Sequence, residues 1–280
     1  MSYIGKTRKV SVAMAIYNCA TTLREAIESI IAQTYTDWEL IMCDDASTDE
    51  TLKIALEYAE RYDNILIIRN VQNMGLPASL NRCIELAKGK YIARMDGDDI
   101  SLPERFEVEV SFLDTRPEYA IVSCAMINFD ENGEWGIQRK PEYPTKMDFI
   151  YDSPFCHAPC MMRKDALADV GNYTVREELR RGQDYFLWHK FYCKGYKGYN
   201  FQTPYYKMRD DKGAAYRRGY KDGYVQRVRH SLMFCKTRRE IFGNLIIPKK
   251  YWFYAYRPFV TALLPYRIYS IMHKKNINRR

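Results

Sequence analysis

A mainly parallel α/β sheet covered by helices on both faces is the fold class this sequence predicts. Two patterns carry that expectation. Short, continuous apolar runs alternate with amphipathic helical runs through the first half of the chain. Runs of that kind are strands buried on both faces, which is the environment of a parallel sheet. Length and composition agree. A chain of 280 residues, 47% hydrophobic and 28% charged, suffices for a large core and excludes a disordered, collagen-like or small disulfide-scaffold protein.

The elements follow in order. Lys9 to Ile16 reads as a strand and Asn18-Cys19-Ala20 as a turn, with Thr21 or Thr22 available as an N-cap. Leu23 to Gln33 is then a helix, because Leu23, Ile27, Ile30 and Ile31 fall on one stripe. Strands at Trp38 to Cys43, Ile65 to Ile68 and Tyr91 to Met95 alternate with helices at Asp49 to Arg61 and Pro77 to Lys88, the last stopped by Gly89. A helix with Pro103 near its start runs to about Thr115, and Tyr119 to Phe129 is a strand leading to a hairpin turn at Asn132-Gly133. Phe155 to Arg163 looks extended, and Gly182 to Tyr192 helical. Beyond Tyr205 the pattern turns helical and basic. The chain thus divides into residues 1–115, 116–215 and a tail, 216–280.

Charge separates the tail from the body. The net charge is +8, yet Lys236 to Arg280 holds eleven basic residues and a single acid, Glu240. The other 235 residues carry 32 basic and 34 acidic side chains. Within the tail, Tyr251 to Met272 is rich in aromatic and aliphatic residues but is interrupted by Arg257, Pro258, Pro265 and Arg267. That suits a segment lying at an anionic membrane surface better than a spanning helix. A helix pair packed on the body, basic face outward, is the other reading. Bulky side chains between the charges argue against a nucleic-acid partner. Eight cysteines without a paired C-x-x-C spacing read as buried thiols, and no signal-like apolar run follows the basic N-terminus; both suit a reducing cytoplasm.

Chemistry is expected where strand ends turn polar, since ligands of open α/β sheets bind beyond the carboxyl ends of the strands. Three ends qualify: Tyr17-Asn18, Asp44-Asp45 and Asp96-Gly97-Asp98-Asp99. Ser47 and Asp49 are explained as well by helix capping. Neither a G-x-G-x-x-G nor a Walker-type loop occurs, so phosphates must be neutralised in another way. Asp-x-Asp after a strand supplies hard oxygen ligands suited to Mg²⁺ or Mn²⁺ bridging a diphosphate.

Val10-Ser-Val-Ala-Met-Ala-Ile-Tyr-Asn18, Ser29-Ile-Ile-Ala-Gln-Thr34, Trp38-Glu-Leu-Ile41 and Asp44-Asp-Ala-Ser-Thr-Asp49 occur in order. They are followed by Asn73-Met-Gly75, Asn81, Gly89-Lys-Tyr-Ile92, Met95-Asp-Gly-Asp-Asp99 and Gly182-Gln-Asp184 with Leu187-Trp188. Over roughly residues 8 to 210 this set resembles the family 2 glycosyltransferases of bacterial polysaccharide synthesis. The resemblance implies a GT-A fold with a Rossmann-like sheet, a nucleotide-sugar donor (UDP, dTDP or GDP left open), Mn²⁺ or Mg²⁺, and an inverting displacement. It implies a glycan or lipid-linked glycan acceptor, met at the inner face of the plasma membrane.

Roles carry over position by position. Tyr17 would stack on the base, with Ala15 beside it. Asp45 would accept the base N3–H, and the loop from Asn73 through Gly75 to Leu76 would close over the nucleoside. Asp96 would face the ribose and Asp98 the metal. Asp184 would be the general base, opposite the leaving group. Several positions depart from the family: Ala15 replaces a usual Pro, Ala46 a usual Gly, and Gln183 the Glu that commonly precedes the base. Tyr206 to Asp211 stands where a Tyr-Arg-x-His stretch is common; there Arg209 would reach phosphate and Asp211 would replace the His at the metal. His157, Gln183 and Trp188 would face the acceptor, with a purely structural role equally open for His157. A sugar-phosphate nucleotidyltransferase would need a Gly-rich pyrophosphorylase signature that this N-terminus lacks. A non-catalytic scaffold would not need Asp45, Asp98 and Asp184 together.

Overall fold

The computed structural model describes residues 8–179, 182–210, 223–264, 268 and 272. Nine strands form one sheet, in the order β3-β2-β1-β4-β8-β6-β9-β5 with β7 paired on β6. β1 (Val10–Ile16), β2 (Trp38–Asp44), β3 (Ile65–Arg69) and β4 (Tyr91–Asp96) are mutually parallel. β6 (Tyr119–Asp130) and β9 (Lys197–Arg209) form the other parallel pair. Antiparallel contacts come from short strands: β5 (Ile100–Ser101) on β9, β7 (Gly133–Gln138) on β6, and β8 (Met161–Arg163) between β4 and β6.

Both faces of the sheet are apolar, as the continuous runs require. Along β1, Val10, Val12, Met14 and Ile16 join one core cluster with Leu23, Ile27 and Ile30 of α1 (Leu23–Ile31). The same cluster takes Ile54 of α2 (Thr51–Arg61) and Phe106 and Leu113 of α4 (Arg105–Thr115). The alternate residue, Ala13, faces the second cluster, with Leu80 and Ile84 of α3 (Leu76–Leu86) and Trp188 and Phe191 of α6 (Gln183–Cys193). α5 (Lys164–Asp169) contributes Ala166 and Leu167 to that side. Gln33, just beyond α1, is buried, donating to Leu102 O at 2.8 Å and accepting from Phe106 N at 3.1 Å, so it locks α1 to the start of α4.

Two expectations change, and the tail, left open between a membrane surface and packing on the body, is seen packing on the body in part. Tyr205 to Arg209 is not helical: it completes β9, whose Tyr206 is fully buried; the next helix among the described residues is α7 (Gly223–Asn244). Pro204 hid the strand, and it sits where the register against β6 shifts after Cys124. In the segment expected to be extended, only Met161–Arg163 pairs as a strand; Cys160 N turns back to His157 O at 3.2 Å. The tail is also no loose appendage. Ile241, Phe242, Leu245, Ile247 and Ala255 lie in the second core cluster, and Arg238 donates to Phe149 O and Ile150 O at 3.2 and 2.9 Å. A 3₁₀ turn (Lys249–Tyr256) and α8 (Arg257–Ala262) follow α7 along this face. Among the described residues no helix is long and apolar enough to cross a membrane. All eight cysteines are free thiols; six are buried, Cys19 is half-buried and Cys193 exposed.

Candidate active site

β1 has β2 on one side and β4 on the other, and the chain changes direction across the sheet at that point. The register sets Ile16 beside Asp44 and Ala15 beside Asp96. Two of the three polar strand ends therefore flank the third.

On the β2 side, Asp44 is buried and its Oδ2 pairs with Arg69 Nε at 3.1 Å. Asp45, also buried, accepts Met74 N on Oδ1 and Gly75 N on Oδ2, each at 2.8 Å, while Asn70 donates to Oδ1 at 2.6 Å. Asp45 thus fixes the Asn73–Gly75 loop, and Gly75 takes φ +85°, which a Cβ would oppose. Asn73 and Tyr17 are exposed, and Ala15 is half-buried. Asp49 Oδ1 accepts Thr51 N at 3.0 Å at the start of α2, a capping role, whereas Ser47 Oγ accepts Asn18 N at 3.0 Å and so ties the turn after β2 to the turn after β1.

On the β4 side, Asp96, Asp98 and Asp99 bring a carboxylate oxygen each within 4.8 Å of one another. Gly97 makes this turn fit: a Cβ there would stand 2.9 Å from Cys19 Sγ. Asp99 is buried and accepts Arg209 N at 2.7 Å; burial, with Asp96 and Asp98 adding like charge, holds its carboxyl well above the usual range. Hard oxygens crowded in this way suit a divalent cation. Asp98 and Asp96 are the half-buried pair, so they are the accessible ligands. Arg209 does not reach outward. Its Nε donates to Asp98 O at 2.9 Å, its ring-facing plane lies 4.5 Å from the Phe129 centroid, and Nη2 pairs with Glu25. It braces the Asp98–Asp99 turn, and a phosphate contact would require it to leave these partners. Asp211 lies outside the described residues.

Sequence reasoning missed the centre of the site, Arg94. Its side chain is buried, Nη1 pairs with Asp96, and Nε has no acceptor among the described residues. Burial opposes its charge, but Asp96 outweighs that and keeps the guanidinium protonated. Its field reaches His157, Tyr173 and Asp184. The available signal was a lone cation inside the apolar run Tyr91 to Met95, two residues before Asp96. Tyr173, equally unforeseen, shares a 2.7 Å hydrogen bond with His157 Nε2, and its backbone is clamped by Asn81 through N–H and C=O bonds of 2.9 and 2.8 Å. Burial and the charge of Arg94 keep His157 neutral.

Asp184 occupies the first turn of α6. It is half-buried, and desolvation raises its carboxyl above the ordinary value while Lys140 and Arg94 act the other way. Gln183 beside it is half-buried, with Oε1 unpartnered among the described residues. Trp188 departs from expectation. It is fully buried against Phe155 and His157, ring centroids 5.2 and 5.9 Å away, so it backs the site from the core and has no surface for an acceptor.

Comparison with known proteins decides the class. Residues 11–171 match the model of glycosyl transferase family 2. The chain belongs to that family. It is 42% identical over 270 residues to the putative glycosyltransferase EpsE of Bacillus subtilis, covering 96% of this chain and 94% of that one. It is 31% identical over 278 residues, 98% of both chains, to an Escherichia coli UDP-Gal:alpha-D-GlcNAc-diphosphoundecaprenol beta-1,3-galactosyltransferase. Among solved structures, Staphylococcus aureus TarS 1-349 with UDP-GlcNAc superposes with a TM-score of 0.65 at 18% identity, covering 91% of this chain and 82% of that one. The mannosyltransferase PcManGT of Pyrobaculum calidifontis, solved with GDP-Man and Mn²⁺, gives 0.62 at 20% identity, covering 96% and 80%. The fold is that of GT-A glycosyltransferases, and this family 2 chain is a glycosyltransferase.

Proposed function

We propose that this glycosyltransferase moves a hexosyl or N-acetylhexosaminyl group from a UDP-sugar to a lipid-linked glycan, inverting the anomeric centre, in cell-surface polysaccharide synthesis. One observation carries the reading: the paired ends of β1, β2 and β4 bring Asp45 and the Asp96–Asp99 group to neighbouring strand ends, and the buried Arg94 pairs with Asp96 while its charge also acts on Asp184. The Escherichia coli relative's name supplies the UDP donor and the diphosphoundecaprenol acceptor.

In this mechanism Tyr17 and Ala15 border the base, and Asp45 and the Asn73–Gly75 loop hold it. Asp96 takes the ribose, and the buried Arg94, paired with Asp96, holds that carboxylate in place and lends the site positive charge. Mn²⁺ or Mg²⁺ held by Asp98 would offset the negative charge that builds on the departing diphosphate. Asp184 accepts the proton of the attacking acceptor hydroxyl, which leaves one oxygen–carbon bond formed and one broken in a single inverting step. Neutral His157, held by Tyr173, and Gln183 orient the acceptor beside it. The exposed Phe253, Tyr256, Val260 and Leu263, with Lys249, Lys250 and Arg257 nearby, support contact with an anionic membrane where such an acceptor resides.

The test is Mn²⁺-dependent release of UDP from a panel of UDP-sugars. Wild type should turn over at least one donor, and no turnover across the panel sinks the enzyme reading. Asp184→Asn should lower transfer by about 10²–10⁴-fold with UDP affinity retained; loss of UDP binding would refute its role as base.

A further inference from the structure

A groove of about 410 Å³ opens beside the catalytic helix, walled by Arg139, Lys140, Tyr151, Asp152, Ser153 and Gln202 among others. It belongs to neither the polar strand ends nor the Asp96–Asp99 group. Its base is firmly held. Lys140 Nζ pairs with Asp152 at 2.8 Å, and Gln202 Nε2 donates to Lys140 O and Asn200 O at 3.1 and 2.9 Å.

One wall joins the catalytic machinery. Tyr185, the residue after Asp184, donates its hydroxyl to Phe149 O in the 3₁₀ turn Lys146–Ile150, which carries groove residue Asp148. The end of the same turn joins the aromatic tail. The Tyr151 ring meets Tyr254 edge-on at 5.2 Å, and Tyr151 O accepts Arg257 Nη1. One groove-lining turn is therefore tied to both the helix of Asp184 and the tail, and groove residue Lys140 is near enough for its charge to act on Asp184.

Its lining selects among ligands. Two cations, Arg139 and Lys140, face two carboxylates, Asp148 and Asp152. Lys140 is spent on Asp152, and Asp148 closes a capping box with Thr145. A diphosphate would bring its charge against Asp152, with like-charge repulsion at short range. A sugar ring would not. Its hydroxyls both donate and accept: the Arg139 guanidinium can donate to them, Asp152 and the Oε1 of Gln202, whose Nε2 is taken up in the groove base, can accept from them, and the apolar face of the ring suits the half-exposed ring of Tyr151.

We infer that this groove is the subsite that holds a sugar ring of the acceptor glycan, oriented by Arg139 and Gln202. The assignment rests on the reading of Asp184 as base of a glycan-extending transferase.

The experiment compares wild type, Arg139→Ala and Gln202→Ala in three measurements: UDP affinity, UDP-sugar hydrolysis without acceptor, and UDP release stimulated by lipid-linked glycans extracted from the producing cells. The first two should stay within about twofold of wild type. The acceptor KM should rise about tenfold in each variant with kcat nearly kept, as expected for a lost hydrogen bond in binding. Unchanged acceptor KM in both variants, with hydrolysis intact, overturns the groove assignment. Inhibition by inorganic pyrophosphate that is relieved in Arg139→Ala overturns the sugar in favour of a phosphate site. A wild type that hydrolyses donor but ignores the extract overturns the glycan-acceptor reading beneath both, and a wild type without hydrolysis overturns the enzyme reading itself.

Discussion

At the scale of single residues, Asp184, the base of the proposed mechanism, carries a cost in stability. Desolvation raises its carboxyl, so the folded chain binds its proton more tightly than the unfolded chain does. Stability contributed at this position is therefore lost as pH rises from the ordinary carboxylate value through the raised one. Asp184→Asn should melt higher than wild type near pH 7, with the difference fading toward about pH 4; a melting series over pH reads this directly. Activity runs the opposite way, because the base must be ionised. The acid limb of the transfer rate should lie above the ordinary carboxylate range, and Lys140→Gln, which removes a charge that favours ionisation, should move that limb to higher pH. Ala46 offers a second residue-level test. It adopts φ +62°, where the family usually has Gly. Relief of left-handed strain, roughly 1–2 kcal/mol, less the backbone entropy of glycine, roughly 0.5–1 kcal/mol, predicts that Ala46→Gly raises unfolding stability by up to about 1 kcal/mol in a denaturant titration. Most of the candidate residues at this scale were legible, since Asp45, Asp96, Asp98 and Asp184 stand in recognisable stretches; their roles belong to the proposed mechanism. Arg94 and Tyr173 were not, because their importance comes from burial and from neighbours far along the chain. Trp188 misled for the same reason: an aromatic residue one turn beyond Asp184 fits a binding role or a core role equally well, and only its burial against Phe155 and His157 separates them.

At the scale of elements, the alternation of runs was enough for β1 to β4 and α1 to α4, whose boundaries shift by only a few residues between pattern and structure. β1 with β2 and β2 with β3 pair through one-helix crossovers, and β4 returns past both to pair with the other edge of β1, so local periodicity and position in the sheet largely agree. β9 escaped because its evidence is non-local. It spans 13 residues and contains Pro204, and it is held by pairing with β6 and by the burial of Tyr206. The second element joined over a long range is α7. Phe234 lies so close to Gly182, just before α6, that a Cβ there would stand 2.1 Å from the ring. Gly182→Ala should therefore cost about 1–3 kcal/mol of stability through overpacking and displace Asp184 enough to lower the transfer rate. Adding Phe234→Leu should restore part of both losses, and a double-mutant cycle measures that coupling. Additive effects would mean that the two helices meet without constraining the catalytic turn.

At the scale of the molecule, the basic surplus and the apolar tail have to be divided between packing and surface. Phe242, Leu245, Ile247 and Ala255 are core residues, so cutting the chain after Arg239 removes part of the second hydrophobic cluster and tests folding before it tests anything else. The outward residues are separate: Phe253, Tyr256, Val260 and Leu263 are 63%, 44%, 57% and 44% exposed. They neighbour Lys249, Lys250 and Arg257 in a body whose remaining charge is near balance. Apolar side chains left in water beside cations favour an anionic bilayer, where insertion of the former adds to attraction of the latter, about 1 kcal/mol per Lys or Arg. Phe253→Ser with Val260→Ser and Leu263→Ser should reduce co-sedimentation with phosphatidylserine-containing vesicles by about tenfold or more, while the melting temperature stays close to wild type because nothing in the core is touched. Wild-type binding should also weaken as salt rises past the point where the Debye length falls below about 8 Å. If the triple variant sediments like wild type, the exposed aromatic face is not the membrane contact, and the tail serves packing alone.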